Sequence, residues 1–219
     1  MGTRLQQVLK DKPKCLASIN EKPFIDILLD NCINQGLRRF ILCVGYLKEQ
    51  VIEHLSNRND CEIIFSEEDQ PLGTGGALKN AEPFIISDTV LVMNGDSYVK
   101  FDLDSLLTKH SNRNASITII VKMLQNGYRY GSIQLDEKDR ITDFDEKGNT
   151  TQDWVLINTG VYMINKSVFK KISKKIPFSL EHDFFPIMVE KDIYGYKTKG
   201  KFIDIGTPQS LDKASDVIS

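Results

Sequence analysis

Gln70-Pro71-Leu72-Gly73-Thr74-Gly75-Gly76-Ala77-Leu78 places three glycines among four residues. The stretch lies between a strand-like run, Cys61 to Phe65, and a helix-like run, Ala77 to Ala81. Glycine at such a junction lets the backbone turn with positive φ and lets a ligand approach the main chain. The amides that open the following helix favour anions or polar acceptors. No Gly-Lys-Ser/Thr follows, so this is not a Walker A loop, nor is it the GxGxxG dinucleotide fingerprint. A tight turn is the plain alternative. Further on, Val90-Leu91-Val92-Met93-Asn94-Gly95-Asp96 is an apolar strand that ends in a carboxylate. That is a common position for a metal or ligand contact in α/β proteins. Together the two segments imply a protein that handles nucleotides.

Composition narrows the class. The 219 residues are 41% hydrophobic and 26% charged, enough for one sizeable core but not for two typical domains and a linker. A net charge of -2 and a pI near 6.0 offer no basic groove for nucleic acid. No apolar run has the length of a membrane span, and the polar N-terminus has no signal-peptide core. Cys15, Cys32, Cys43 and Cys61 form no CxxC pair and no metal-ligand spacing, so a reducing cytoplasm is the expected compartment. Cys43, within an apolar run, reads as a small core residue. The neighbouring Lys14 charge is expected to lower the Cys15 pKa, although Cys15 is not read as a nucleophile. His54, His110 and His182 have no triad pattern and no Gly-x-Ser-x-Gly elbow near them. They read as structural or surface groups, and Glu181 and Asp183 beside His182 as a surface turn.

Periodicity predicts an alternation of strands and helices. Leu5 to Leu9 reads as a short helix after a Gly-Thr-Arg turn, and Lys10 to Lys14 as extended or turned around Pro13. Pro23 opens a helix that Gly36 ends. Arg39 to Val44 suits a buried parallel strand, Leu47 to Leu55 a helix, and Glu62 to Phe65 a strand. With the strand ending at Asp96, this gives a parallel sheet with helices on both faces. In the second half, Leu103 to His110 reads as a helix, Ser116 to Met123 as a strand, and Tyr130 to Leu135 with Ile141 to Asp145 as a hairpin. Trp154 to Ile164 is a long strand interrupted at Asn158-Thr159-Gly160, the signal of a bulge or of a ligand facing the sheet. Lys166 to Lys175 reads as a basic amphipathic helix, Phe184 to Val189 as a short one, and Tyr194 to Ile205 as a strand pair or bent strand. Thr207 caps a last helix that begins at Pro208. The fold class is therefore α/β with a mixed, mostly parallel sheet.

Several side chains suit polyphosphate chemistry, each with a plainer account. Arg4 and Lys14 could neutralise a polyphosphate and the charge that builds up during transfer, or be two exposed cations. Asp96 and Asp204, both at strand ends, would suit one Mg²⁺ on a phosphate-bearing substrate, or each cap a nearby turn. Glu146-Lys147 offers partners for a sugar hydroxyl and a phosphate, or a solvated turn running into Gly148.

In order along nearly the whole chain, these segments resemble the sugar-1-phosphate nucleotidyltransferases. Gly2-Thr3-Arg4-Leu5 is similar to the end of that family's Gly-Gly-x-Gly-Thr-Arg-Leu signature. Pro13-Lys14 is similar to its Pro-Lys-Pro-Met element, with Cys15 and Leu16 in place of Pro-Met. Pro71 to Ala77, Asn94-Gly95-Asp96, Glu146-Lys147, Ile157 to Gly160 and Asp204 to Pro208 resemble its remaining motifs. Phe178-Ser179-Leu180-Glu181 and the compact length resemble the heptose-1-phosphate guanylyltransferase branch.

The resemblance implies a Rossmann-like fold of the nucleotide-diphospho-sugar transferase type. It implies one domain over 1–219, with a nucleotide half (1–112) and a sugar half (113–219). It implies that a nucleoside triphosphate, GTP in this branch, and a sugar 1-phosphate, here D-glycero-D-manno-heptose 1-phosphate, give NDP-sugar and pyrophosphate with Mg²⁺, for surface polysaccharide. The implied catalytic residues are Arg4, Lys14 and Asp96. Gly2, Thr3, Arg4, Gly73, Thr74, Gly75, Gly76, Asn94 and Gly95 would bind nucleotide. Gly131, Glu146, Lys147, Asn158, Thr159 and Gly160 would bind the sugar phosphate, and Asp96 and Asp204 the metal. Alternatives are a mannose-1-phosphate guanylyltransferase, an amino-sugar-1-phosphate uridylyltransferase, and a non-catalytic sugar-nucleotide-binding regulatory subunit. Neither nucleic acid nor membrane is an expected partner, and a homo-oligomer is allowed. The family's first apolar strand and two further glycines are expected upstream of Met1, roughly ten residues for a strand and its loop. Without that segment, weak or absent catalysis is expected.

Overall fold

A computed structural model describes residues 9, 11–127, 129–145, 153–173, 175–189 and 191–218. In chain order the strands are β1 (Ser18–Ile19), β2 (Lys22–Pro23), β3 (Arg39–Val44), β4 (Glu62–Glu67), β5 (Thr89–Met93) and β6 (Ser97–Val99). Then follow β7 (Ile117–Gln125), β8 (Ser132–Leu135), β9 (Ile141–Asp145), β10 (Trp154–Asn165), β11 (Ile193–Lys197) and β12 (Phe202–Asp204). The described residues pack as two compact units. One comprises the chain up to Pro71 with Asn94–Tyr98 and the segment from Lys201 onward; the other comprises Leu72–Met93 and Val99–Gly200.

In the first unit, β3 and β4 pair in parallel, Arg39 opposite Glu62 and Val44 opposite Glu67. Parallel neighbours need a crossover, and the Lys48–Leu55 helix supplies it. The Phe24–Ile33 helix buries Phe24, Ile25, Leu28, Leu29 and Cys32. Ile25 and Leu29 share a core with Leu16, Val44, Val51 and Leu55. Pro23 stands one residue before the helix, as its N-cap. β12 pairs with β6. Beyond β12, Thr207 and Ser210 form a reciprocal capping box that starts the Pro208–Asp212 helix, which satisfies two of the amides a helix start leaves unpaired. Cys43 is exposed on β3, which corrects its reading as a core residue. Successive strand residues face opposite ways, so an apolar run need not be buried on both faces.

In the second unit the sheet runs β11-β7-β10-β8-β9, with β5 also paired to β10. β7 and β11 are parallel, whereas β10 runs antiparallel to β5, β7 and β8. With the parallel pair in the first unit, this is a mixed α/β architecture, but among the described strands antiparallel pairs outnumber parallel ones. That corrects the expectation of a mostly parallel sheet: β10 runs against each strand it pairs with. Ile117, Ile119, Ile120 and Val121 of β7 are fully buried, as are Val161, Tyr162 and Ile164 of β10. The Leu103–Asn112 helix is capped by Asp102, whose carboxylate accepts the Ser105 amide at 2.7 Å. The predicted hairpin forms as β8 and β9, Ser132 opposite Asp145. In its turn, Asp136 Oδ1 accepts the amides of Lys138 and Arg140, each at 2.8 Å.

Three expectations are corrected. The Lys166–Lys171 segment is a 3₁₀ turn that ends at an extended Ile172. Val168 and Phe169 of this turn are buried, and runs of 3₁₀ geometry longer than a few residues are uncommon because its hydrogen bonds are poorer. Tyr194 to Ile205 is neither a strand pair nor one bent strand: β11 joins β7 and β12 joins β6. Gly200 passes so close to Lys100 that a Cβ would lie 1.9 Å from its carbonyl oxygen. The glycine run at Gly73 is not a loop before a helix but the first turn of the Gly73–Ala81 helix.

Ile120, fully buried on β7, leaves a cavity when truncated. Ile120→Ala is expected to destabilise the protein by about 2–5 kcal/mol, read from the urea unfolding midpoint.

Candidate active site

In the first unit, three predicted residues come together at the ends of β6 and β12. The Ile205 amide donates to the Asp96 carbonyl at 2.9 Å, so Asp204 and Asp96 lie on adjoining strand ends. Asp204 Oδ1 accepts the Gly206 amide at 2.9 Å. Gly206 is tight here, since a Cβ would sit 2.8 Å from that oxygen. Lys14 Nζ pairs with Asp96 Oδ2 at 3.3 Å, with the side chains 24% and 33% exposed. A pair that wet is worth about 0–1 kcal/mol, so either partner can be exchanged for a ligand group at little cost. Asn94 and Gly95 form the turn before β6, where the Ser97 amide reaches the Asn94 carbonyl at 3.4 Å. A Cβ on Gly95 would meet no described atom within 4 Å, which leaves the backbone there open to a ligand.

Next to Lys14, Cys15 behaves opposite to expectation. Burial, set slightly back by a backbone hydrogen bond and reinforced by Asp96, pushes its thiol up to about 11. The Lys14 charge is directed to Asp96 instead.

In the second unit, the glycine turn is moulded to another segment of the chain. The Phe178 carbonyl accepts the amides of Gly75 at 2.8 Å and Gly76 at 3.0 Å, and the Phe178 amide donates to the Leu72 carbonyl at 2.8 Å. Gly73 has φ +77°, and its Cβ would lie 2.6 Å from the Phe178 oxygen. A Cβ on Gly75 would lie 2.6 Å from the Phe178 ring. These glycines therefore permit a close protein contact, and two of the helix-opening amides are directed into it. Thr74 Oγ1 turns the same way, accepting the Leu180 amide at 2.9 Å and donating to Glu181 Oε2 at 2.5 Å.

β10 carries the other predicted cluster. Its register against β7 shifts between Asn158 and Tyr162, and Gly160 has φ +77°, the expected bulge. The Asn158 amide donates to the Gly131 carbonyl at 2.9 Å, which brings Gly131 to Asn158, Thr159 and Gly160. The Thr159 hydroxyl is turned away to the Ile120 carbonyl at 2.7 Å. Sequence reading missed Tyr162 and Glu181. Glu181 is only 7% exposed, so the surface-turn reading is corrected. Ser179, the N-cap of the Leu180–Phe184 turn, and the Phe178-Ser179-Leu180-Glu181 run it belongs to were the available signals. Gly2, Thr3, Arg4, Glu146 and Lys147 lie outside the described residues. Among the described residues no group of three or more His, Cys, Asp or Glu could hold a metal, and no helix is long and apolar enough to cross a membrane.

The model of the nucleotidyl transferase family matches residues 1–219. The chain belongs to that family. It is similar, at 35% identity over 216 residues, to the D-glycero-alpha-D-manno-heptose 1-phosphate guanylyltransferase of Aneurinibacillus thermoaerophilus, covering 98% of this chain and 93% of that protein. The crystal structure of HddC from Yersinia pseudotuberculosis superposes with a TM-score of 0.87 at 33% identity, covering 100% of this chain and 96% of that one. HddC complexed with GMP-PN gives a TM-score of 0.86 at 32% identity, with the same coverage. This nucleotidyltransferase therefore has the nucleotide-diphospho-sugar transferase fold.

Two outcomes are expected from this geometry. Gly73→Ala must hold a strained left-handed φ against the Phe178 carbonyl, at a cost on the order of 1–3 kcal/mol, whereas Gly95→Ala has room and stays within about 0.5 kcal/mol of the parent. Thermal denaturation of the pair checks this. For Cys15, with its pKa near 11, only about one molecule in a thousand is thiolate at pH 8. Its alkylation in the folded protein should be very slow there and rise about tenfold per pH unit, as read by peptide mass spectrometry.

Proposed function

We propose that this nucleotidyltransferase joins GTP and D-glycero-D-manno-heptose 1-phosphate to give GDP-heptose and pyrophosphate. Support comes above all from the Ile205–Asp96 hydrogen bond, which makes neighbours of two carboxylate-bearing strand ends, with Lys14 beside them. Likeness over almost the full length of a heptose 1-phosphate guanylyltransferase supports the choice of sugar and base. Residues 1–112 are assigned to the nucleotide and 113–219 to the sugar phosphate.

In the reaction, a sugar-phosphate oxygen attacks the α-phosphorus in line. The new P–O bond forms as the α–β bridging bond breaks, and pyrophosphate leaves. Such transfer asks little covalent chemistry of the protein; positioning and charge stabilisation dominate. Arg4 and Lys14 neutralise the triphosphate. Gly2, Thr3, Gly73, Thr74, Gly75, Gly76, Asn94 and Gly95 are assigned to nucleotide binding. Glu146 and Asn158 take sugar hydroxyls, Lys147 takes the sugar's phosphate, and Gly131, Thr159 and Gly160 shape the strand around it. Asp96 and Asp204 are hard oxygen donors, and two carboxylates with substrate oxygens are the set Mg²⁺ prefers. The residues therefore fit this ion, which when bound would polarise the phosphate oxygens. Lys14 would then release Asp96 and turn to the triphosphate.

Pyrophosphate release with Mg²⁺ should be greatest for GTP with the heptose phosphate, in a matrix of five nucleotides against heptose, mannose and glucose 1-phosphates. Asp96→Asn and Arg4→Ala should each lower turnover about a hundredfold or more, the cost of losing one preorganised electrostatic partner. Near-normal turnover in either variant would sink that residue's role. Bound nucleotide sugar without any release would favour a regulatory binding module.

A further inference from the structure

The buried carboxylate of Glu181 links the glycine turn to the bulge on β10. Its Oε2 accepts from Thr74 Oγ1 at 2.5 Å and from Ser179 Oγ at 2.9 Å. Its Oε1 accepts from the Tyr162 hydroxyl at 3.0 Å. The direction of every further bond follows. An ionised carboxylate only accepts, so Tyr162 spends its single proton on Glu181 and must itself accept from Asn158 Nδ2, at 3.0 Å. The Asn158 amide is thereby oriented with its nitrogen toward Tyr162 and its Oδ1 toward the Gly160 amide, 2.9 Å away. At the other end, Thr74 likewise spends its proton on Glu181, and its oxygen accepts the Leu180 amide at 2.9 Å. Tyr162 cannot swing out of the relay, because its ring is fully buried and meets Phe185 edge-on at 4.9 Å between centroids.

We infer that Glu181 is a positioning residue for both substrates, orienting Thr74 on the nucleotide turn and, through Tyr162, Asn158 on the sugar strand. This rests on the proposed reading of those two segments as nucleotide and sugar ligands. Glu181 need not touch either substrate. Its charge gives one polarity to hydrogen bonds that neutral partners could otherwise arrange in several ways, and such networks behave as units rather than as sums of pairs.

Three variants of the full chain separate the two arms. Tyr162→Phe removes both bonds of the Tyr162 hydroxyl, to Glu181 and from Asn158, while leaving the Thr74 arm in place, and should raise KM for the sugar 1-phosphate about tenfold, the equivalent of one hydrogen bond to a charged group, with KM for GTP nearly unchanged. Thr74→Val should do the reverse. Glu181→Gln, of the same shape, should raise both. Amide hydrogen exchange reads the same coupling without turnover: Tyr162→Phe should hasten exchange at Gly160 and not at Leu180, Thr74→Val at Leu180 and not at Gly160, and Glu181→Gln at both. Lowered melting temperatures with both KM values unchanged would make Glu181 merely structural and overturn the inference. Unaltered exchange at both amides in Glu181→Gln would overturn it as well. A parent chain that releases no pyrophosphate from any pair, even with the expected upstream strand restored, would instead refute the proposed function, and the exchange arm would still decide whether Glu181 couples the two segments.

Discussion

The Phe178 carbonyl takes two amide protons, from Gly75 and Gly76, and the second unit's polar architecture depends on that contact. A carbonyl can reach the opening amides of a helix only if no Cβ stands in the way. At Gly73 and Gly75 a Cβ would lie within 2.6 Å of Phe178. Closing this gap starts the helix at Gly73 and carries Ser179, Leu180 and Glu181 up to Thr74. Everything the Glu181 carboxylate organises follows from that approach. A helix N-terminus that would otherwise be open to anions is partly satisfied by the chain itself.

A different constraint governs the first unit. Asp96, Asp204 and Lys14 concentrate charge at two strand ends, and the backbone bond from Ile205 to Asp96 holds those ends together. The Lys14–Asp96 pair is exposed enough to be weak, so it quiets two charges without locking them. The same arrangement keeps Cys15 inert: its thiol is buried, and the nearest charge that matters to it is the Asp96 carboxylate rather than the lysine beside it in sequence.

β10 shows how one strand serves both packing and chemistry. Val161 to Ile164 are almost wholly buried between β5 and β7, and such apolar burial is what stabilises a sheet of this kind. Three residues earlier the same strand bulges at Asn158-Thr159-Gly160, which frees Asn158 from the core pattern. Gly160 permits the left-handed turn, and the side-chain polar groups of Asn158 and Thr159 are engaged within the protein, as burial favours.

Local chemistry made much of this legible in the sequence. The Arg39–Val44 and Glu62–Glu67 strands, the β8–β9 hairpin, the Thr207 cap and the bulge at Gly160 depend on side-chain period, turn residues and backbone freedom within a few neighbours. The grouping of Asp96 with Asp204, and of Asn158 with Gly131, was legible as residue types but not as contacts. Spacing along the chain does not encode distance in space. The tertiary structure alone decided that the glycines receive Phe178, that β11 and β12 join different partners, and that Glu181 is buried rather than at the surface. In each case the deciding partner lies far along the chain: Glu181 is 107 residues from Thr74 and 19 from Tyr162. A carboxylate's surroundings, and therefore its role, are set by which distant donors the fold delivers to it.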